Sequence, residues 1–252
     1  MSRIEQNTVD LQGLLNAVNS LPTGSGEGPA EDLNDVLTEQ ANKIAELQAI
    51  LDTKASGEGG TDTRFADCAD GTLASIDDDS ITKARQYAFA YLTELKTVRL
   101  PNLTGGGVSL FRNCSILETV DLPQVTTLTT YSFQYCYALK NVNIPMQRSL
   151  TTGMFQECKE LERLELGDIT NISGTNCFKD CSKLAALIIR KTSTGVITLG
   201  NINAFDNTPI ASGTGFVYLP SALVESHKSA TNWSTYADQI RAIEDYPETT
   251  GG

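Results

Sequence analysis

Aromatic positions in the middle of the chain recur with one long period. Seven phenylalanines follow one another at intervals of 22 to 27 residues: Phe65, Phe89, Phe111, Phe133, Phe155, Phe178 and Phe205. Aligned on these positions, four successive units read FRNCSILETVDLP, FQYCYALKNVNIP, FQECKELERLELG and FKDCSKLAALIIR. A unit this short cannot bury its own apolar side chains and must stack on its neighbours. The sequence therefore predicts an α/β solenoid of about six coils.

Each unit also contains a shorter pattern that predicts a strand. Val120 and Leu122 alternate with polar residues, as Val142 and Ile144 do in the next unit. Alternation with period two is typical of a strand with one buried face. Pro123 then ends the pattern, because proline cannot continue a hydrogen-bonded ladder. One short strand per coil, stacked at roughly 4.8 Å, predicts a parallel sheet along the solenoid.

Strand parity predicts which side chains face away from the core. If Val98 and Leu100 point inward, the alternate positions of each strand form two columns on the concave face of the sheet, where solenoids commonly bind their partners. The candidate binding face comprises Thr97, Arg99, Thr119, Asp121, Asn141, Asn143, Arg163, Glu165, Ile188 and Tyr218. Ala186 and Phe216 share this parity. Two alternatives remain open: the polar part is only a solvated face with weak ion pairs, and the apolar end packs beneath the predicted C-terminal helices.

The segments outside the repeat predict a stalk and a cap. The predicted divisions are an N-terminal helix (1–21), a linker (22–31), a coiled-coil helix (32–54), a linker (55–63), the solenoid with its N-terminal cap (64–219), a C-terminal helical cap (220–246) and a tail (247–252). Each of the two helical segments carries a heptad stripe. The first stripe contains Ile4, Leu11, Leu14 and Val18, and the second contains Leu33, Leu37, Gln40, Ile44, Leu47 and Leu51. Such short stripes favour a homo-oligomeric coiled coil, dimer or trimer, over helices that fold back on the solenoid.

Charge and hydropathy exclude several classes of partner. Lys and Arg number 19 and Asp and Glu 31, which gives a net charge of −12. This balance argues against nucleic-acid binding, because phosphate contacts need basic surface. No run approaches the roughly 18 apolar residues of a membrane span, so we expect no membrane insertion. The first residues lack the apolar stretch of a secretory signal, so we expect none.

Five of the six cysteines occupy one position of the unit, three residues after the phenylalanine: Cys68, Cys114, Cys136, Cys158 and Cys181. This placement predicts a buried ladder of free thiols. A disulfide framework and a zinc site at Cys177 and Cys181 are the alternatives. The first lacks a secreted context and the second lacks a further pair of ligands.

The sequence gives little support for catalysis. The single histidine, His227, falls on the predicted C-terminal helix, where we expect it at the surface, and no nucleophile lies at a recognisable spacing from it. We therefore predict a protein that is not an enzyme and needs no cofactor.

The unit F-x-x-C-x-x-L-x-x-Φ-x-Φ-P, where Φ is aliphatic, resembles the BspA-like (Treponema-type) leucine-rich repeat of bacterial surface and phage-encoded proteins. The resemblance covers roughly residues 62–246, with Leu92 and Thr208 in place of the cysteine in two units. Separately, the segment 37–55 is similar to N-terminal segments of tail-associated proteins from phages of Gram-positive hosts.

These resemblances imply a binding protein of a phage or prophage tail that recognises a protein or glycan on the bacterial surface. Its other expected partners are tail proteins and copies of itself, and its expected location is the virion. A structural or assembly role in the tail and a cell-surface adhesin are the alternatives.

Overall fold

The computed structural model describes residues 73–247. The predicted stalk helices, both linkers, all ten oligomerisation residues, Phe65 and Cys68 lie outside the described residues. Within them, the chain winds into successive coils, and every coil contributes a short strand to a parallel sheet. Repeats with short parallel strands, as in a solenoid, are therefore confirmed.

The longest strands form two four-stranded parallel sheets. The first contains β1 (Ser75–Asp77), β3 (Thr97–Arg99), β5 (Thr119–Asp121) and β6 (Asn141–Asn143), and the second contains β8 (Arg163–Leu166), β10 (Ala186–Ile189), β12 (Phe216–Leu219) and β13 (Ile240–Ala242). Thr97 pairs with Thr119, and Thr119 with Asn141. In the second sheet, Ala186 pairs with both Arg163 and Phe216. Within each sheet, this register aligns the outward columns as the parity of the repeat predicts.

A second side of each coil carries shorter pairings. β2 (Lys83–Ala84) pairs with β4 (Gly105–Gly106). β7 (Ser149–Leu150), β9 (Asn171–Ile172) and β11 (Thr198–Leu199) form a three-stranded parallel sheet. These pairings hold the coils together on a side other than that of the long strands.

A stack of phenylalanine rings forms the centre of the core. Each ring lies 5.2 to 5.6 Å, centroid to centroid, from the next, with planes within 15° of parallel: Phe89, Phe111, Phe133, Phe155, Phe178 and Phe205. The last five of these side chains are fully buried among aliphatic residues. The ring spacing follows the coil repeat, so every phenylalanine packs on its equivalents in the neighbouring coils.

The described cysteines at the repeated position form the predicted ladder of buried free thiols. Each Sγ–H donates to the carbonyl oxygen of the phenylalanine in the preceding coil, at 2.9 to 3.2 Å: Cys114 to Phe89, Cys136 to Phe111, Cys158 to Phe133 and Cys181 to Phe155. The thiol therefore satisfies a buried backbone acceptor without a charge or a bulky group. Burial raises the pKa of Cys114 to about 12, so this thiol stays protonated at neutral pH.

The backbone around each phenylalanine is left-handed at two places, which the sequence reading did not anticipate. In five coils, φ is between 55° and 65° two residues before the ring and two residues after it. The first position holds Tyr87, Ser109, Tyr131, Gly153 and Asn176, and the second holds Tyr91, Asn113, Tyr135, Glu157 and Asp180. Glycine and asparagine accept this conformation readily, whereas a bulky side chain there costs about 1 kcal/mol or more.

One coil is longer than the others but keeps the same core. The interval from Phe178 to Phe205 is 27 residues, yet these rings stack at 5.3 Å, as in the shorter coils. The additional residues lie between β10 and β11, where residues 192–196 are exposed. Buried Lys191 anchors this excursion, because its Nζ donates to the Ile169 carbonyl oxygen and to Ser193 Oγ.

The C-terminal segment differs from the predicted helical cap. It contains one eight-residue helix, a 3-10 helix at Trp233–Gln239 and strand β13, which extends the second sheet. In chain order, α1 is Pro209–Ser212 and α2 is Ser221–Lys228. Trp233 and Tyr236 contact the ring of Phe205 and close the aromatic stack. Within residues 73–247, no helix is long and apolar enough to cross a membrane.

The surface position expected for His227 is wrong. The side chain is fully buried in α2, and its ring stands edge-on to Trp233 at 5.7 Å. Nε2 accepts the Ile197 N–H at 2.9 Å, so Nδ1 carries the proton and donates to the Leu223 carbonyl oxygen at 2.7 Å. Burial lowers the pKa of His227, and both hydrogen bonds fit the neutral ring. The side chain of His227 therefore attaches α2 to the backbone of Ile197 in the long coil and does not face solvent.

Candidate functional site

Outward side chains of the first sheet form one row joined by hydrogen bonds and ion pairs, which we call the ladder face: Asp77, Arg99, Asp121 and Asn143. Arg99 Nη1 lies 2.9 Å from Asp77 Oδ1, and its Nε lies 3.8 Å from Asp121 Oδ2. Asn143 Nδ2 donates to Asp121 Oδ1 at 2.6 Å. Each of these residues comes from a successive coil at the same register position.

Solvent reaches the ladder face. Of the ladder face, Arg99 and Asn143 are exposed and Asp121 is partly exposed. In the neighbouring outward column, Asn141 is exposed and Thr119 is partly exposed. The hydrogen bond that Arg99 donates to Asp77 raises the pKa of Arg99, so the guanidinium stays charged at any physiological pH. Exposed ion pairs of this kind contribute only about 0–1 kcal/mol to stability, so their groups can exchange partners at little cost.

A second charged group lies on the neighbouring sheet. Arg163 Nη2 and Arg190 Nε both donate to the Glu165 carboxylate. The hydrogen bond from Arg190 lowers the pKa of Glu165, which therefore stays ionised near neutral pH. Arg190 was not among the predicted face residues, because it follows β10 rather than lying within a strand.

The two sheets do not join across the face. Within the described chain, no ladder pairing links β6 to β8, so the row of strands is interrupted between Asn143 and Arg163. Val142 is partly exposed at this break, whereas its equivalents Val98 and Val120 are buried. The break therefore exposes an apolar side chain beside the polar groups of the face.

The apolar end of the predicted face is covered. Ile188 is fully buried and Tyr218 is 8% exposed, packed with Ala186 against Ile243 and Tyr246. The Tyr218 and Tyr246 rings meet edge to face at 4.8 Å. The C-terminal segment thus takes the place that a ligand would need, as the packing alternative proposed. We therefore leave Ile188 and Tyr218 out of the candidate site.

The structure adds residues that the sequence reading missed. Ser75 and Asp77 begin the two columns, and Arg241 continues the second column beside Tyr218. The interval from Phe65 to Phe89 is 24 residues, and its two additional residues shift Ser75 out of the register of the later units. Ser75–Asp77 (SID) aligns with Thr97–Arg99 (TVR) when the units are aligned on their strands instead of on phenylalanine. This alignment places Ser75 and Asp77 at the start of the two columns. Arg241 lies in a segment that no longer follows the repeat.

The described residues offer little for covalent or metal chemistry. Burial raises the pKa of each cysteine for which a shift is resolved, and the one histidine is enclosed by its own hydrogen bonds. Within residues 73–247, no group of three or more His, Cys, Asp or Glu side chains is placed to hold a metal ion. The arrangement on the ladder face suits hydrogen bonding to a polar ligand.

A repeated unit with one strand, one phenylalanine and one buried cysteine or its substitute defines the fold, and comparison with known proteins identifies the family. The model of the BspA type leucine rich repeat region matches in six copies, over residues 61–185 and 118–214. The chain belongs to this leucine-rich repeat family. A crystal structure of a T. pallidum leucine rich repeat protein is similar, with 19% identity over 61% of this chain and 78% of that chain and a TM-score of 0.40. No curated protein matches.

Where this leucine-rich repeat chain departs from its consensus, the structure gives the reason. Leu92 replaces the cysteine of the first described coil and is buried against the core. Thr208 replaces it in the last coil, where its hydroxyl donates to the Phe205 carbonyl oxygen and accepts the Ala211 N–H. The substitution converts a ladder thiol into the N-cap of α1, at the point where the repeat ends.

Proposed function

We propose that this leucine-rich repeat protein is a non-enzymatic, tail-associated recognition protein of a phage or prophage. In this proposal the ladder face contacts a protein or glycan on the bacterial surface, and the N-terminal segment forms an oligomeric stalk, dimer or trimer, that joins other tail proteins. The observation that carries the proposal is the row of exposed charged and amide groups, one per coil, on a sheet with a closely packed core.

The ladder face has the properties of a preorganised binding surface. Its backbone is fixed by pairing on both sides of each inner strand, so little conformational entropy is lost on binding. Arg99 supplies several donors in a planar fork, and Asp121 and Asn143 supply acceptors and an amide. Partly exposed Val142 adds an apolar contact at the break between the sheets. A polar peptide or a sugar would match this mixture.

An oligomeric stalk would compensate for weak individual sites. Several copies of one face, held together, raise avidity without any new contact. The support for the stalk is the heptad pattern, and the support for a tail location is the similarity of the segment 37–55 to tail-associated proteins. Both rest on sequence alone.

Retention on intact Gram-positive cells tests the proposal. The double variant Arg99→Ala, Asn143→Ala removes two groups of the ladder face. It should weaken retention at least tenfold, because the loss of even one hydrogen bond to a charged group costs about 1.5 kcal/mol, which is about tenfold in affinity. The matched control is Lys183→Ala, which removes an equally exposed ion pair, Lys183–Glu160, elsewhere on the coil. Circular dichroism should show all variants folded.

The outcomes separate the proposed role from its alternatives. Equal retention of the wild type and the double variant would exclude the ladder face as the receptor site. No retention of the wild-type oligomer on any susceptible host would instead favour a structural role within the tail.

A further inference from the structure

A short C-terminal strap, residues 243–246, lies across the outward face of the second sheet. It follows β13 as one short 3-10 turn and ends at Tyr246. Its first and last side chains pack on Ala186, Ile188 and Tyr218. These three residues are at most 8% exposed, whereas every residue of the strap is at least partly exposed. The strap therefore covers an apolar surface without being part of the core.

A few side-chain contacts attach the strap. The ring of Tyr246 stands edge-on to that of Tyr218 at 4.8 Å between centroids, and the Arg163 guanidinium lies 5.5 Å from the centroid of the Tyr246 ring. Glu244 accepts the Ser221 hydroxyl at 3.4 Å, which is long for a hydrogen bond, and both residues are exposed. Contacts of these kinds are individually weak. Because none of them involves the phenylalanine stack or the thiol ladder, release of the strap leaves the packing of the coils intact.

The surface around the strap is basic. Three arginines project from this side of the sheet: Arg163, Arg190 and Arg241. Glu165 is the one carboxylate at the outward positions of β8, β10, β12 and β13, and two of these arginines already share it. The strap carries two exposed acids, Glu244 and Asp245, immediately before Tyr246. Charge complementarity and ring contacts therefore both favour a segment that combines carboxylates with an aromatic side chain.

We propose that the surface beneath the strap docks an acidic peptide segment with an aromatic residue, carried by a partner protein, and that this segment displaces the strap. The strap indicates the chemistry of the partner, because it is a segment of that kind seated on the surface. While it is seated, the partner's apparent affinity is reduced to the fraction of molecules in which the surface is free. The surface lies on the sheet side by which solenoids commonly bind. It is separate from the ladder face, so the inference goes beyond the role proposed for that face.

Anisotropy titration of a fluorescein-labelled peptide of residues 242–247 tests this inference on the full-length protein. The double variant Ile243→Ala, Tyr246→Ala removes the two side chains that hold the strap down, and it should bind the peptide at least ten times more tightly than the wild type. A chain that ends at Ala242 should do the same. Peptides whose tyrosine is replaced by alanine, or whose two acids are replaced by their amides, should bind the double variant at least ten times more weakly.

A matched pair of variants tests the part played by Arg163. In the background of the double variant, Arg163→Gln should lose at least fivefold in affinity for the peptide, because it removes the cation above the aromatic ring. The control is Lys159→Gln, since Lys159 also lies over a tyrosine ring, at 5.1 Å from the centroid of Tyr137, and is about equally exposed. Lys159 lies outside the second sheet, so its replacement should leave the affinity unchanged.

Hydrogen exchange on the wild type provides a readout that needs no variant. Saturating peptide should speed the exchange of the amides of residues 243–246 at least threefold and leave β12 unchanged. The inference is overturned if this exchange does not change, or if affinity is independent of the ring and the acids of the peptide. It is also overturned if the double variant and the shortened chain, shown to be folded by circular dichroism, bind no more tightly than the wild type.

Light scattering distinguishes a partner protein from a second copy of the chain. Dissociation of wild-type oligomers by the peptide would assign the surface to the strap of a second copy and contradict the proposed partner. None of these outcomes bears on the ladder face, which the retention of the Arg99→Ala, Asn143→Ala variant tests separately.

Discussion

Acidification should weaken the attachment of the C-terminal segment through one residue. His227 Nε2 accepts the Ile197 N–H at 2.9 Å. A proton added to Nε2 would turn it into a second donor that faces the N–H donor of Ile197. The folded protein therefore resists protonation, which agrees with the lowered pKa that burial gives His227. The unfolded chain, in contrast, takes up a proton near the ordinary histidine pKa of about 6.5.

The sign and the limit of the effect follow from proton linkage. Because the unfolded state binds more protons than the folded state below pH 6.5, the free energy of unfolding falls as the pH falls. One proton limits the loss between pH 7.5 and 5.5 to about 1.4 kcal/mol. For a domain of this size, that loss corresponds to a decrease in melting temperature of up to about 5 °C.

The chain contains a built-in reporter for this experiment. Trp233 is its only tryptophan and stands 5.7 Å from the His227 ring, so its fluorescence reports the unfolding of the segment concerned. His227 is also the only histidine, and ordinary carboxyl groups titrate well below this pH range. Melting curves of the wild type at pH 7.5, 6.5 and 5.5 should therefore isolate the contribution of one side chain.

The control is His227→Leu, which fills a similar volume but cannot titrate. It should be less stable by about 1–3 kcal/mol at pH 7.5, because the Ile197 N–H loses its acceptor, and its stability should no longer depend on pH in this range. Parallel pH dependence in the wild type and the variant, or a wild type that gains stability on acidification, would refute the assignment of His227 as a buried neutral ring.

Four further expectations concern the repeat, its cap and the stalk. Phe133→Ala should lower the free energy of unfolding in urea by about 3–5 kcal/mol, because a ring stacked on both sides is lost; a loss below about 1 kcal/mol would contradict the stack. Thr208→Val should cost about 1–2 kcal/mol in the same assay and Thr208→Ser much less, since only the hydroxyl caps α1; equal losses would argue against capping. A thiol reagent should find the described cysteines unreactive in the folded protein and all six free after unfolding without reductant, and fewer than six would indicate a disulfide. Light scattering should give a dimer or trimer for the full chain and a monomer without residues 1–60, whereas a monomer in both cases would exclude the stalk.

The coil architecture was predictable from the sequence because the phenylalanine and cysteine positions repeat in register. Stacked coils place equal positions side by side, so periodicity alone aligns Asp121 with Asn143 and predicts the thiol ladder. The left-handed positions were not predictable in this way, although Asn, Asp, Gly and Ser recur there, because tyrosines interrupt the turn signal in two coils.

Features that arise from contacts outside the repeat were not predictable in the same way. The burial of His227 depends on Trp233 and Ile197, which are brought to it by the fold and not by any period. The covering of Ile188 by Ile243 and Tyr246 likewise depends on how the end of the chain returns across the sheet. The break between β6 and β8 has no counterpart in the repeat pattern, which continues evenly through both strands.

The long coil has a practical consequence for protein engineering. Its excursion already carries additional residues without altering the ring spacing, and Gly195 has open space around it. A foreign peptide grafted between Thr194 and Gly195 would project from the surface, while Lys191 and Ser193 keep the base of the loop anchored. The protein thus offers a display position at which an epitope or a fluorescent label can be presented without disturbing either neighbouring coil.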